Sequence, residues 1–257
     1  MVEMNTLQNN MASAVNNCLQ GLPKQESKAF TGFDNYRKSD IERKLNIMGV
    51  TPLDVMITGV TGAGKSTTLN TIFNHRVASV GEGVDPETMD IKEYALNNLI
   101  RFWDTPGLGD GVNRDKKHKK KITDLLYKTY TNDGYLYGYI DMCVVVIEGS
   151  TRDLGTTYSL INQVLVPNIH SDRILVVINQ ADVAMKGRHW DFDKNEPDPV
   201  LSSFLEEKSQ SMRKRVKEAT GVLIPKPVCY SAKYNWNMEK VLDFIIDNIP
   251  KEKRKLL

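Results

Sequence analysis

The sequence predicts an α/β fold with a mostly parallel sheet between two layers of helices. From about residue 50 onward, short apolar segments alternate with segments of helical periodicity. Two of the apolar segments, Met142 to Ile147 and Ile174 to Ile178, are continuous runs, which is typical of strands buried on both faces. A glycine-rich turn, Gly59 to Gly64, lies between a strand-like and a helix-like segment. These observations together favour a three-layer α/β/α domain.

The individual elements follow from local patterns. Asp54 to Thr58 is predicted to form the first strand, and Leu69, Ile72 and Phe73 give the next segment one apolar helical face. Asn97 and Asn98 join two strand-like segments and tolerate positive φ, so the sequence predicts a hairpin there. The remaining predicted elements are hairpin strands at 91–96 and 99–104, helices around 158–165 and 241–246, and a last strand at 227–230.

Residues 1–49 are predicted to form a separate N-terminal helical segment. Apolar residues recur every three or four positions from Met4 to Leu22, which predicts an amphipathic helix that packs on protein rather than on membrane. A second helix is expected to begin at Ser39, which forms a capping box with Glu42, and to end at Gly49. The predicted catalytic or switch domain then spans 50–250, with a basic C-terminal tail at 251–257.

Composition restricts the partner and the compartment. Lys and Arg number 34 against 32 Asp and Glu in 257 residues, so any nucleic acid or anionic membrane must be bound by a local patch. The cysteines, Cys18, Cys143 and Cys229, are widely spaced, which argues against a disulfide framework or a zinc site. Since neither a basic-apolar leader nor an apolar run of about 20 residues is seen, we expect a cytoplasmic protein without a transmembrane segment.

The turn after the first strand matches the phosphate-binding pattern G-x-x-x-x-G-K-[ST] in full, with Lys65 and Ser66 at its end. Glycines let backbone N–H groups converge on an anion, and the following helix adds its positive N-terminal end. Lys65 would reach the β- and γ-phosphates and Ser66 would ligate Mg²⁺. The candidate nucleotide-binding residues here are Gly59, Thr61, Gly62, Ala63, Gly64, Lys65, Ser66 and Thr67.

A second segment indicates which base is bound. Asn179-Gln180-Ala181-Asp182 directly follows a buried strand, at the sheet edge where α/β proteins bind ligands. The Asp182 carboxylate can accept both the ring N–H and the exocyclic amine of guanine, whereas adenine offers no such pair of donors. Asn179 is expected to tie the loop together. Ser231, Ala232 and Lys233 follow the last predicted strand, where a backbone N–H can contact the guanine carbonyl.

From Gly59 to Lys233 the chain resembles translation-factor-related P-loop GTPases of the Era-like bacterial group. Its phosphate loop is also similar to those of septin-like and immunity-associated families. The resemblance implies a P-loop NTPase fold like that of small GTPases, with GTP or GDP and Mg²⁺ as ligands. It also implies that Asp104 holds Mg²⁺ through water and that Gly107 offers its N–H to the γ-phosphate. Thr88 best matches the switch threonine that ligates Mg²⁺, although an ordinary loop threonine is the alternative.

Two positions depart from the usual pattern in a way that bears on catalysis and affinity. Leu108 stands where many GTPases carry a glutamine that orients water, so we expect slow hydrolysis unless backbone, a remote side chain or a partner positions the nucleophile. In many GTPases the segment 179–182 reads Asn-Lys-x-Asp, and here Gln180 stands in place of the lysine. The glutamine side chain can still cover the base with its aliphatic part, but it lacks the positive charge. Gly62 replaces the asparagine of potassium-activated relatives, so no monovalent cation is invoked.

The segment Arg114 to Lys121 is strongly basic and could bind RNA, as on a ribosome. A solvated, mobile switch segment is favoured because aromatic residues do not interleave with the charges. The nearby tyrosines are expected to be packing and loop residues rather than a stacking platform. Trp190, beside His189, is expected to be structural rather than a shield for the nucleotide. These tyrosines are Tyr127, Tyr130, Tyr135, Tyr137 and Tyr139.

The sequence therefore predicts a Mg²⁺-dependent GTP-binding protein that hydrolyses GTP slowly and acts as a switch. The alternative is a nucleotide-dependent scaffold that dimerises with little hydrolysis, which Leu108 keeps open. A homodimer or a protein partner would engage the switch regions. An ATP-dependent phosphotransferase is disfavoured by the NQAD segment together with Ser231-Ala232-Lys233.

Overall fold

A computed structural model describes residues 33, 35–74, 90–96, 98–151 and 154–255. Its centre is a six-stranded sheet in the order β10-β7-β6-β1-β3-β2, in which β2 is antiparallel to β3 and all other neighbours are parallel. The strands are β1 (Leu53–Gly59), β2 (Lys92–Leu96), β3 (Ile100–Asp104), β4 (Thr129–Asn132), β5 (Tyr135–Gly138), β6 (Met142–Glu148), β7 (Ile174–Asn179), β8 (Trp190–Asp191), β9 (Glu196–Pro197) and β10 (Val228–Cys229). The pairs β4-β5 and β8-β9 are separate two-stranded hairpins.

Helices flank this sheet, and the core lies between them and the strands. The helices are α1 (Lys38–Met48), α2 (Lys65–Ile72), α3 (Val112–Leu126), α4 (Gly155–Leu160), α5 (Pro199–Thr220) and α6 (Met238–Asp247). A π-helical turn, Ile161–Leu165, continues α4. One large apolar cluster joins Cys143, Val145 and Ile147 of β6 to buried residues of α3, α4 and α5. The predicted fold class, a mostly parallel sheet with flanking helices, is confirmed.

Several predicted elements are present with adjusted ends. The hairpin β2-β3 is antiparallel with Leu96 opposite Ile100, as the Asn-Asn turn predicts. The last strand is only two residues long. The basic segment Arg114 to Lys121 lies within helix α3, and its residues Arg114, Lys116, Lys117 and Lys120 are exposed to solvent. It is helical because Ile122 and Leu125, on the same helix, are buried in the core. The predicted helix between Met4 and Leu22 lies outside the described residues.

The start of α1 differs from the predicted capping box. The helix begins at Lys38 after Arg37, which has a left-handed backbone, and Arg37 rather than Ser39 occupies the N-cap position. The physical reason is a tertiary contact, because the Arg37 guanidinium donates to Asp243 and Asp247 of α6. The predicted end at Gly49 is confirmed, since its N–H donates to the carbonyl of Leu45 at 2.8 Å. Helix α1 belongs to the same compact unit as the sheet.

The carboxyl ends of the strands bring the predicted functional segments to one edge of the sheet. The glycine-rich loop follows β1. Asp104 is the last residue of β3, and Asn179 is the last residue of β7. Ser231 and Ala232 follow β10, the neighbour of β7. Parallel strands end at the same edge, so segments that are far apart in the chain meet there.

Candidate functional site

The glycine-rich loop is shaped by the close approach of a neighbouring segment. Strand β1 is buried along its whole length, and α2 begins at Lys65 directly after Gly64. Gly64 has a φ of 88°, and a Cβ at this position would collide with the side chain of Asn179. A glycine is therefore required where the loop passes under the segment that follows β7.

Lys65 lies inside this loop. It is 7% exposed, and its Nζ donates to the carbonyls of Val60 at 3.0 Å and Gly59 at 3.4 Å. Burial lowers the pKa of Lys65, while the nearby Asp104 carboxylate acts in the opposite direction. An anionic phosphate held by the loop would favour the charged ammonium, because an opposite charge offsets the cost of burial.

Ser66 and Asp104 form the part of the site that fits a divalent cation. Ser66 Oγ donates to Asp104 Oδ2 at 3.2 Å. Asp104 is 1% exposed, and its Oδ1 has no hydrogen-bond partner within the described part of the chain. Burial raises the pKa of Asp104, and Lys65 opposes that shift. A hydroxyl beside an unpartnered carboxylate oxygen suits Mg²⁺, which prefers oxygen ligands. Thr88 lies outside the described residues.

The turn after β3 packs directly on the glycine-rich loop. The N–H of Thr61 donates to the carbonyl of Leu108 at 2.8 Å, and the N–H of Leu108 donates to the carbonyl of Gly59 at 3.2 Å. Gly107 faces Thr61 so closely that it has no room for a Cβ. A third contact joins the two segments, since Thr61 Oγ1 donates to Asp110 Oδ2 at 2.7 Å.

Leu108 is completely buried within the apolar cluster that contains α3. The position that in many GTPases carries a water-orienting glutamine thus belongs to the core of this protein. The packing explains why a large aliphatic side chain stands there. An aliphatic side chain held in the core cannot orient a water molecule.

Asn179 connects the phosphate side of the site to the base side. Its Nδ2 donates to the carbonyl of Ala63 at 2.9 Å, and its Oδ1 accepts from the N–H of Ala232 at 3.0 Å. Gln180, with a φ of 61°, donates from Nε2 to the carbonyl of Gly62 at 2.7 Å. One short segment therefore holds the glycine-rich loop through two side-chain amides. Sequence reasoning did not find the Gln180 contact.

Asp182 lies in a buried polar position beside the last loop. It is 5% exposed, and its Oδ1 accepts from Ser231 Oγ at 2.6 Å. Lys233 is exposed, and its Nζ lies 5.0 Å from the ring centroid of Tyr234. Thr67 lies in α2, on the same helix as Ser66. The structure thus brings the predicted residues of four segments together at one edge of the sheet.

Trp190 packs in a small apolar cluster with Ala181 of the base-side segment and with Leu201 and Leu205 of α5. Its ring centroid lies 5.7 Å from those of both Tyr234 and Trp236. The neighbouring His189 contacts Asp198, the N-cap of α5, at 2.7 Å. The prediction of a structural tryptophan agrees with this packing.

A buried histidine is the clearest contact that sequence reasoning missed. His118, in α3, is 2% exposed, and its Nδ1 lies 2.7 Å from the carbonyl oxygen of Gly107. In the sequence, His118 stands within a run of lysines and belongs to no recognised motif. The apolar spacing of His118 with Ile122 and Leu125 was the available signal that it faces the core.

A glycine-rich loop with a buried lysine, a DTPG turn packed on it, and an NQAD segment at the same sheet edge together characterise a P-loop GTPase. The model of one GTPase family matches residues 54–196, and the chain belongs to that family, which is described as 50S ribosome-binding GTPase.

Curated relatives include septins. Septin-8-B of Xenopus laevis is 25% identical over 148 residues, a match that covers 52% of this chain and 35% of that protein. The septin homologue spn2 of Schizosaccharomyces pombe is 33% identical over 99 residues, covering 34% of this chain and 29% of that one. The chain thus spans about a third of the length of these relatives.

Solved GTPase structures have the same fold. Toc33 from Arabidopsis thaliana, in complex with GDP and Mg²⁺, aligns with a TM-score of 0.58 at 15% identity, over 86% of this chain and 94% of that one. Era in complex with MgGDPNP and a segment of 16S ribosomal RNA aligns with a TM-score of 0.51 at 16% identity, over 78% of this chain and 58% of that one. Within the described residues, no helix has the length and hydrophobicity needed to cross a bilayer.

Proposed function

We propose that this protein binds GTP and GDP together with Mg²⁺, hydrolyses GTP slowly, and changes its affinity for a partner when its switch segments reorder. The observation that carries the proposal is the position of Asn179. Its amide bonds to Ala63 in the glycine-rich loop and to Ala232 beside Ser231. Because Ser231 also donates to Asp182, the residues proposed to bind phosphate and those proposed to bind the base are connected by hydrogen bonds.

Each residue has a role that follows from its position. Lys65 and the loop N–H groups would hold the phosphates, and Ser66 and Asp104 would hold Mg²⁺. When bound, Mg²⁺ would neutralise charge on the phosphate oxygens. Gly107 would donate its N–H to the γ-phosphate, and Thr88 would complete the metal site in the triphosphate state. Asp182 would accept the two guanine donors.

The rate of hydrolysis is expected to be low in the free protein. Phosphoryl transfer depends on positioning a water molecule and on electrostatic stabilisation. Leu108 is buried in the core, so this side chain cannot position the water. We therefore propose that self-association or a partner supplies the missing group. A dimerising scaffold with little hydrolysis is the second candidate, and the burial of Leu108 is the observation that favours it.

Finer assignments rest on sequence resemblance. We propose that, within the family, the protein is related to the Era-like GTPases. We also propose that it is located in the cytoplasm and that a homodimer or another protein contacts its switch regions. A dimer has a precedent in proteins of similar fold, since dimerisation is important for the GTPase activity of the chloroplast translocon components atToc33 and psToc159. RNA is a weaker candidate partner, because the exposed lysines of α3 alternate with no aromatic side chains.

The base preference is the sharpest test of this proposal. In Asp182→Asn, the side-chain oxygen can still accept from Ser231, but an N–H₂ group replaces the acceptor that faces the guanine donors. Each mismatched buried polar group costs about 1–3 kcal/mol, so the affinity for GTP should fall tenfold or more. Xanthosine triphosphate presents a carbonyl in place of the guanine amine and should recover binding.

The measurement is competition among GTP, ATP and xanthosine triphosphate for a labelled guanine nucleotide. Asp193→Asn is the matched control, because Asp193 is exposed and its substitution makes the same change of charge outside the proposed site. We expect the control to retain the wild-type preference. A wild-type preference for ATP, or an Asp182→Asn variant that does not turn from guanine toward xanthine, would refute the guanine assignment.

A further inference from the structure

His118 differs from its neighbours on α3 in being buried. Lys116, Lys117 and Lys120 are exposed, whereas the imidazole of His118 is 2% exposed and points toward the turn after β3. Its Nδ1 lies 2.7 Å from the carbonyl oxygen of Gly107. A carbonyl oxygen only accepts, so Nδ1 must carry the proton and donate.

This contact completes the anchoring of one peptide group. The carbonyl of the Gly107–Leu108 peptide is held by His118, and the N–H of the same peptide donates to the carbonyl of Gly59 at 3.2 Å. A Cβ on Gly107 would collide with Thr61, so the two residues pack closely. The peptide that follows Gly107 is therefore held on both sides, which restricts rotation about the Cα–C bond of Gly107 and helps to fix the position of this residue beside the glycine-rich loop.

We propose that His118 is a positioning residue that aims the Gly107 N–H at the γ-phosphate and links helix α3 to the presence of that phosphate. The inference rests on the proposed function, in which Gly107 contacts the γ-phosphate. His118 does not touch the nucleotide in this arrangement. It acts through Gly107, so it should affect binding of the triphosphate far more than binding of the diphosphate.

A core histidine with a purely structural role makes a different prediction. Such a residue would stabilise α3, and its replacement would weaken the binding of GTP and of GDP by the same factor. The ratio of the two dissociation constants therefore separates the two roles, because loss of stability alone does not change it.

The experiment uses the full chain and three variants. His118→Leu fills the space without a donor, and His118→Asn places an amide N–H close to the position of Nδ1. Ile122→Val is the control, since Ile122 is a fully buried residue one turn further along the same helix. For each protein, the dissociation constants of GDP and of a non-hydrolysable GTP analogue are measured, together with the melting temperature.

We expect His118→Leu to weaken the GTP analogue about tenfold relative to GDP, which corresponds to the loss of one hydrogen bond. His118→Asn should stay within about twofold of wild type, since it keeps a donor at the same place. Ile122→Val should lower the melting temperature and leave the ratio unchanged. If His118→Leu does not fold, His118→Met, whose flexible side chain adapts to the cavity, takes its place.

An unchanged ratio in the folded leucine or methionine variant would overturn the inference. An equal change in Ile122→Val would also overturn it, because the effect would then come from the general packing of α3. In both cases the wild-type protein still binds guanine nucleotides, so the proposed function stands. If wild type binds no guanine nucleotide, the proposed function fails first and the role of His118 fails with it.

Discussion

Two buried carboxylates lie at opposite ends of the sheet and show how position decides the role of a residue. Asp104 ends β3 at the edge with the glycine-rich loop, and Asp141 precedes β6 at the other edge. Burial raises the pKa of both carboxyl groups. Asp104 has an unpartnered oxygen, within the described chain, that suits a cation. Asp141 instead accepts from the N–H of Asp54 at 2.9 Å.

Asp141 should make stability depend on pH in an unusual direction. Burial raises its pKa from 3.8 to about 7, so the folded state binds a proton that the unfolded state releases. The stabilisation is complete below the unfolded pKa and is lost as pH rises toward 7, with a slope of at most about 1.4 kcal/mol per pH unit. Asp141→Asn should remove this slope, since the amide oxygen can still accept from Asp54.

The check is urea unfolding of wild type and Asp141→Asn at several pH values between about 4 and 8. The difference in unfolding free energy between the two proteins isolates the contribution of Asp141 from that of other titrating groups. We expect the variant to gain stability relative to wild type as pH rises toward the folded-state pKa of about 7. A difference that is constant with pH would show that Asp141 stays ionised in the folded protein.

At the scale of elements, α1 is held on α6 by a compact ionic cluster. Arg37 donates from Nη1 to Asp243 at 2.8 Å and from Nη2 to Asp247 at 2.6 Å, and it also pairs with Asp40. Tyr36 donates to the same Asp243 oxygen at 3.0 Å. One guanidinium thus bonds three carboxylates, a network that is worth more than an isolated surface pair.

Arg37→Ala should loosen α1 while leaving the sheet intact. We expect faster amide hydrogen exchange along α1 and a melting temperature lower by a few degrees, with a smaller loss at high salt because salt screens exposed charges. Arg43→Ala is the matched control, since Arg43 is more exposed and, among the described residues, forms its ion pair with Asp40. Equal exchange rates in α1 of the two variants would contradict the anchoring role.

Sequence patterns identify the elements whose signal lies within one short segment. The strands β1, β6 and β7 were predictable because each is a run of residues buried together, and the hairpin β2-β3 was predictable from the Asn-Asn pair in the sequence between its strands. The start of α1 was not, because a contact with α6 more than 200 positions away overrides the local capping box. The helical state of the basic segment depends likewise on Ile122 and Leu125 meeting the core.

The candidate site likewise has parts that the sequence predicted and contacts that it did not. Its loops could be predicted because their residues follow fixed spacings at strand ends, and the link through Asn179 was expected. The contacts of Thr61 with Asp110 and of His118 with Gly107 were not predicted. Each joins single residues on separate segments, so no periodicity or motif in the sequence reports them.

At the scale of the whole molecule, four segments meet at one sheet edge and the turn after β3 is bonded to the glycine-rich loop. The contacts of Thr61 and Leu108 join the two segments through backbone groups. Under the proposed function, a change in one segment on phosphate binding would therefore be passed to the other. Helix α3 follows this turn and carries exposed lysines, so under the proposed function a change at the turn would reach this surface.

Hydrolysis should depend on protein concentration. Because Leu108 is buried in the core, the free monomer lacks the usual water-orienting side chain, and its turnover should fall below about 1 s⁻¹. If a second copy completes the site, the rate per molecule should rise as the protein is concentrated. Size measurements with GDP and with a non-hydrolysable GTP analogue should show association mainly with the analogue.

Lys65→Ala is the control for this experiment, because loss of the buried ammonium should abolish tight nucleotide binding and therefore activity at every concentration. Activity that persists in that variant would come from a contaminating enzyme. A rate per molecule that rises together with association supports the dimer as the active form. Fast turnover that is independent of concentration, in purified protein without a partner, would instead require that a group within the monomer positions the attacking water.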